Sequence, residues 1–211
     1  MVRVKICGIT KWEDVKLAAD LGAHAIGLNF YEGSPRCITP FAATELIRRL
    51  PVFVAPVGIF VNWAQAPIAA LCKALRLSAA QLHGDETAQT VDAVARRLPV
   101  IKALRMGQGS EKLEFSSFRT AAAFLLDSAL SGQYGGSGTT GNWHIARTAA
   151  QTQRIILAGG LTPENVAEAI RIVRPYAVDV ASGVEARPGK KDPVKLRAFF
   201  DEVSRASREI S

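Results

Sequence analysis

The stretch VRVKICGITKWEDVKLAADLGAHAIGLNF, residues 2–30, decides the fold. Its apolar residues follow strand rhythm in VRVKICGI (2–9), the period of an amphipathic helix in WEDVKLAADL (12–21), and strand rhythm again in HAIGLNF (24–30). Thr10 precedes the middle segment as its N-cap, and Gly22 lies just past its end as a stop signal. Strand, helix and strand within about 30 residues make a βαβ unit, whose two strands must run parallel.

The same alternation continues along the chain. The runs VFVAPVGIF (52–60), SAAQLHG (78–84), VIKALRM (100–106), AAFLLDS (122–128), RIILAGG (154–160) and AVDVASGV (177–184) bring the strands to eight. TPENVAEAIRIV (162–173) reads as a helix capped by Thr162, with Pro163 in its first turn and Pro175 closing it, and DPVKLRAFFDEVSRASR (192–208) repeats the Asp-Pro start. The fifth helix, around 110–119, is weakly patterned and reads as short or irregular. Eight units of about 26 residues predict a (β/α)8 TIM barrel over residues 1–211 as a single domain. An open doubly wound sheet of six strands would leave two apolar runs unplaced.

With 211 residues, 48% of them hydrophobic, the chain can bury one large core. No apolar run approaches the roughly 20 residues that span a bilayer, and strand-like sequence begins at Val2, so a cytoplasmic protein with no membrane partner is expected. Cys7, Cys37 and Cys72 follow neither disulfide nor metal-ligand spacing, which predicts free thiols and no metal. The net charge of +7 would attract any anion. The basic residues, however, are scattered over apparent helix faces (Arg48, Arg49, Arg96, Arg97, Arg205, Arg208), and the densest run, RPGKKD at 187–192, falls in one loop. No stripe of basic and aromatic residues interleaves, so a nucleic-acid partner is not expected, and no obligate protein partner is evident.

A barrel carries its chemistry where the strands run out into their following loops. Alternation on the first strand turns Lys5 and Cys7 inward and Val4 and Ile6 toward the helices. A buried cysteine is ordinarily a small hydrophobe; to act as a base it must be thiolate, which a cation such as Lys5 promotes. Asp127 ends the sixth run, either as a turn former or as a carboxyl whose apolar neighbours Leu125 and Leu126 hold a proton on it for donation. Gly159 and Gly160 follow the seventh run and Ser182 and Gly183 the eighth, the two loops through which barrels often hold phosphate on backbone N–H groups. Arg36, in SPRCITP, is a solvated loop arginine or a bidentate partner for a carboxylate. His83, in QLHGDE, is a satisfied histidine or a site residue, and GGSGTTG (135–141) is a linker or a lid. Taken together, these residues predict acid–base chemistry on a small sugar phosphate.

At KICGIT, QLHGDE, the strand-ending LLDS, GGSGTTG, ILAGGLTPENV and VDVASGVEARPGKKD, spread over the whole length, the chain resembles phosphoribosylanthranilate isomerase of tryptophan biosynthesis. The resemblance implies a (β/α)8 barrel that performs an Amadori rearrangement of phosphoribosylanthranilate with no cofactor. It assigns the general base to Cys7, the general acid to Asp127, the anthranilate carboxylate to Arg36, the phosphate to the AGG and SGV loops, and a pocket-lining role to Asp179. Two departures stand out. Gly141-Asn142 replaces the Phe-Asp usual after the lid glycines, and Ala181-Ser182-Gly183 replaces Ser-Ser-Gly, which removes one hydroxyl near the phosphate and predicts weaker substrate affinity.

Two other readings fit the same residues less well. A sugar-phosphate aldolase would use Lys5 or Lys102 as a Schiff base and would be trapped on that lysine by borohydride. A non-catalytic phosphometabolite binder would need neither Cys7 nor Asp127.

Overall fold

Eight parallel strands close on themselves in chain order: β1 (Arg3–Cys7), β2 (Ala25–Asn29), β3 (Ala55–Phe60), β4 (Ala79–Leu82), β5 (Val100–Arg105), β6 (Ala123–Asp127), β7 (Ile155–Leu157) and β8 (Ala177–Val180). The computed structural model describes residues 1–106, 113–127 and 143–210. The helices α1 (Trp12–Asp20), α2 (Pro40–Ile47), α3 (Gln65–Leu75), α4 (Ala88–Ala95), α5 (Trp143–Ala150), α6 (Val166–Val173) and α7 (Pro193–Glu209) lie between or after them. The crossover after β5 carries a 3-10 turn at Ser116–Phe118, in keeping with its weak helical pattern. The expected (β/α)8 barrel is therefore the fold. Among the described residues no helix is long and apolar enough to cross a membrane.

Strand alternation divides the core into two layers. Val4, Ile6, Ile26, Leu28, Leu126 and Val178 point outward and pack with helix residues such as Val15, Ile68 and Phe199. A smaller cluster fills the barrel interior, with Val57, Ile101, Leu125 and Ile156 set among alanines at 79, 103, 123, 158 and 177. This apolar plug closes the barrel below its C-terminal end, so that an inward residue at a strand's last position stands over packed core.

Several local expectations need correction. Thr10 does not cap α1: the N-cap position is Lys11, which makes no side-chain cap bond, and the Thr10 hydroxyl instead donates to the Gly189 carbonyl at 2.6 Å. Residues 162–165 form a turn ahead of α6 rather than its first helical turn, with Asn165 at the N-cap position. The third strand starts at Ala55 because Val52 and Phe53, although apolar, lie in a turn at 94% and 96% exposure. Asp192 does cap α7, accepting from the backbone N–H groups of Val194 and Lys195.

The basic run at 187–192 is not one solvated loop. Glu185–Arg187 and Lys190–Lys191 form a small antiparallel pair, β9 and β10, and Lys191 is fully buried. Its Nζ donates to the carbonyls of Cys7 at 2.6 Å and Ala181 at 3.0 Å, and to the Glu185 carboxylate at 3.1 Å. An ammonium has three donors, and these acceptors use all of them. The contact ties the ends of β1 and β8 to the hairpin that follows. Removing one member of a buried ion pair strands its partner, so Lys191→Met is expected to cost roughly 3 kcal/mol of unfolding free energy. Urea denaturation measures it, and a loss below about 1 kcal/mol would mean that the contact is dispensable.

Candidate active site

The C-terminal ends of the strands surround a cleft that opens to solvent at its mouth. Cys7, Arg36, His83, Asp127, Gly159, Gly160, Asp179, Ser182 and Gly183 all line it, so every sequence-predicted site residue meets the others there. Gln81 lines it too. The alternation that turns His83 inward also turns Gln81 inward two residues earlier, a signal already readable in QLHGDE.

Cys7 ends β1 in register with Gly27 of β2. A Cβ at position 27 would lie 2.9 Å from the Cys7 sulfur, so glycine there makes the space that the thiol occupies. Gly8 follows at φ +72, and its missing side chain is what lets the Arg36 stem cross over it. One turn of strand below Cys7, Lys5 lies in register with Asp179 of β8 and pairs with it at 2.9 Å, both almost wholly buried.

Burial is the largest influence on the Cys7 thiol and pushes it above the ordinary range; Lys5 and Lys191 pull it down, and Asp179 adds to the rise. Lys5 thus promotes the thiolate in the expected direction, but burial outweighs it and Asp179 adds to the rise. Lys5 feels the converse balance. Burial opposes its ammonium, yet Asp179 and Cys7 outweigh burial and raise its pKa.

Asp127 ends β6 and is 3% exposed. Its Oδ2 lies 3.2 Å from His83 Nε2, and His83 Nδ1 lies 2.8 Å from Gln81 Nε2. His83 is thus neither a bystander nor a lone site residue. It joins the β4 side of the cleft to the β6 carboxyl.

Arg36 is a bidentate partner, but its carboxylate belongs to the protein. Its Nε and Nη2 donate to the two oxygens of Glu185 at 2.9 and 2.7 Å. Burial would raise Glu185, but the hydrogen bonds from Arg36 and the charge of Lys191 hold it below the usual carboxylate range. Glu185 and Lys191 are site-building residues that sequence reading missed. The partners are 149 residues apart in Arg36–Glu185, and no local pattern announces such a pair.

The two glycine loops are built to approach a ligand closely. Gly159 and Gly160 both have positive φ, at +77 and +65, where a side chain would be strained. Asn165 braces this loop, accepting from Thr162 N–H and donating to the Gly160 carbonyl, both at 2.8 Å. Gly183 packs so tightly on the Leu161 carbonyl that a Cβ there would overlap it, which locks the loops after β7 and β8 together. Residues 135–141 and Gly141-Asn142 lie outside the described residues.

Neither lysine proposed for a Schiff base is placed for one. Lys5 is held by Asp179, and Lys102 packs on the outer side of β5, donating to Glu86 at 2.8 Å and to the Gly84 carbonyl at 2.7 Å.

A closed barrel that gathers a thiol, a carboxyl, a guanidinium and two glycine loops at its C-terminal end is a (β/α)8-barrel enzyme of the acid–base type. Residues 4–202 match the family model described as N-(5'phosphoribosyl)anthranilate (PRA) isomerase. The chain is 52% identical over 200 residues, 95% of its own length and 94% of the relative's, to the N-(5'-phosphoribosyl)anthranilate isomerase of Pelobacter propionicus. The phosphoribosyl anthranilate isomerase structure from Thermus thermophilus superposes with a TM-score of 0.88 at 43% identity, covering 97% of this chain and 99% of that one. Another structure, phosphoribosyl anthranilate isomerase in complex with reduced 1-(o-carboxyphenylamino)-1-deoxyribulose 5-phosphate, superposes with a TM-score of 0.81 at 37% identity, covering 97% of this chain and 100% of that one. The chain belongs to the N-(5'-phosphoribosyl)anthranilate isomerase family.

The balance of burial over charge at Cys7 has a direct readout. Iodoacetamide labelling of the Cys7 peptide, followed by mass spectrometry against pH, is expected to titrate above the ordinary thiol value of about 8.5. Lys5→Met should move the midpoint higher still. A midpoint below that value would mean that the two lysines outweigh burial.

Proposed function

We propose that the cleft converts N-(5-phospho-β-D-ribosyl)anthranilate into 1-(o-carboxyphenylamino)-1-deoxyribulose 5-phosphate, with Cys7 as general base and Asp127 as general acid. The reaction is the isomerase step that the family performs in tryptophan biosynthesis. The observation that carries the assignment of residues is the meeting of Cys7 and Asp127 in one cleft, at the ends of β1 and β6.

The chemistry asks for little more than a proton donor and a proton acceptor. The rearrangement is redox-neutral within the substrate, since C2 of the sugar is oxidised as C1 is reduced. Asp127 gives its proton to the furanose ring oxygen as the C1–O bond breaks, and the nitrogen lone pair forms the Schiff base. The Cys7 thiolate then removes the C2 proton, and the electrons of that bond run to the nitrogen to give an enolamine. Protonation at C1 and loss of the enol proton yield the ketone. Lys5 and Lys191, both near Cys7, stabilise the thiolate when it forms.

Binding follows from the rest of the cleft. The loops at Gly159–Gly160 and Ser182–Gly183 take the phosphate on backbone N–H groups, and Ala181 costs only the affinity of one hydroxyl. Arg36 takes the anthranilate carboxylate while Glu185 keeps its guanidinium in place. Asp179, held by Lys5, presents its carboxylate to the sugar.

Steady-state kinetics of three variants separate these roles. Cys7→Ala and Asp127→Asn are each expected to lower kcat by about 100-fold or more with little change in KM, because each removes a proton-transfer group used in the transition state. Arg36→Met should chiefly raise KM, by about 10- to 150-fold for a charge-assisted contact made in ground and transition states alike. If Asp127→Asn changed only KM, or Arg36→Met left KM untouched, the corresponding role would fall.

A further inference from the structure

Gln81 is 1% exposed on the inward face of β4, and its Oε1 has no hydrogen-bond partner among the described residues. Its in-register neighbours on that face, Ile59 of β3 and Ile101 of β5, are apolar and cannot donate. A buried amide oxygen without a donor is unfavourable, and each one in a native structure calls for a partner or a role.

The other half of the amide is committed. Nε2 lies 2.8 Å from His83 Nδ1, and His83 Nε2 lies 3.2 Å from Asp127 Oδ2. An amide nitrogen only donates, so Nδ1 must accept and the imidazole proton must sit on Nε2, where it donates to the carboxylate. With the amide so oriented, Oε1 is the atom left without a donor, on a residue that lines the cleft.

The substrate's ends cannot satisfy that oxygen, because its phosphate and its carboxylate are acceptors. Its ribose hydroxyls are donors. The geometry points to Gln81 as a substrate-contacting residue: its side-chain oxygen accepts a hydrogen bond from a ribose hydroxyl, while its amide holds His83 in the tautomer that donates to Asp127. This rests on the reading of the cleft as the isomerase site with Asp127 as its acid. One side chain then joins recognition of the sugar to the orientation of the catalytic carboxyl.

Two variants and one spectrum test it. Gln81→Met keeps the volume and removes both interactions; it should weaken binding of the reduced product analogue by about tenfold or more and lower kcat further. Gln81→Glu keeps the acceptor but cannot donate to Nδ1, so it should hold the analogue within a few-fold of wild type while kcat falls. In a set of analogues each lacking one ribose hydroxyl, one member should bind the wild type and Gln81→Met equally. The 15N spectrum of wild-type His83 should show the proton on Nε2. A Gln81→Met variant with wild-type binding and turnover, or a wild-type His83 protonated on Nδ1, would overturn the inference. Wild-type turnover of phosphoribosylanthranilate and its loss in Cys7→Ala are measured alongside. Failure there overturns the reaction assigned to the cleft, whereas failure in the Gln81 arms alone overturns only the role of Gln81.

Discussion

A buried ammonium at Lys191 holds the site together. Taking a charge out of water is costly unless every donor finds an acceptor, and Lys191 Nζ finds the Cys7 carbonyl, the Ala181 carbonyl and Glu185. Those three acceptors belong to the strand that carries the candidate base, the loop proposed to hold half the phosphate, and the carboxylate that grips Arg36. Its backbone N–H donates to Asp14 of α1 at 3.0 Å, which brings the first helix into the same arrangement. The N-terminal and C-terminal units of the barrel are thereby joined by side-chain chemistry as well as by the β1–β8 ladder.

Around that fixed point the cleft is a balance of burial against charge. Burial pushes the Cys7 thiol up, and two lysines oppose it. Asp179 holds Lys5 partly away from that task. Burial thus favours a protonated resting thiol beside cations that can stabilise a thiolate, an arrangement compatible with the proposed base. On the far side, Gln81, His83 and Asp127 form a second polar chain across β4 and β6, and the two chains face each other over an apolar plug of alanines, Leu125 and isoleucines.

Much of this was legible in the chain. Period-two alternation in VRVKIC places Lys5 and Cys7 inward for a steric reason that tertiary structure rarely overturns, and the glycines mark close approach, Gly159 and Gly160 through a positive φ that strains side chains and Gly183 because a Cβ there would overlap the Leu161 carbonyl. Asp-Pro at 192–193 announced α7 through a capping bond that is purely local. What stayed hidden depends on contacts between distant segments. Arg36 was readable as a carboxylate binder, but Glu185, its partner within the chain, was not. Lys191 read as part of one basic loop because the contacts that bury it come from the ends of β1 and β8 and from Glu185, distant from it or invisible in its local pattern. Thr10 had the chemistry of an N-cap and was drawn instead to the Gly189 carbonyl, and Val52-Phe53 extended an apolar run past the point where the strand begins. The lid glycines and Gly141-Asn142 lie outside the described residues.

One cleft is proposed to hold phosphate at one end and carboxylate at the other, with the reacting carbons between Cys7 and Asp127. A crystal structure of this chain with reduced 1-(o-carboxyphenylamino)-1-deoxyribulose 5-phosphate tests it most directly. The phosphate is expected on the backbone N–H groups of the loops at Gly159–Gly160 and Ser182–Gly183 and the carboxylate on Arg36, with the sugar's C1 and C2 within reach of the Cys7 sulfur and the Asp127 carboxyl. An analogue bound in the reverse direction, or outside this cleft, would contradict it.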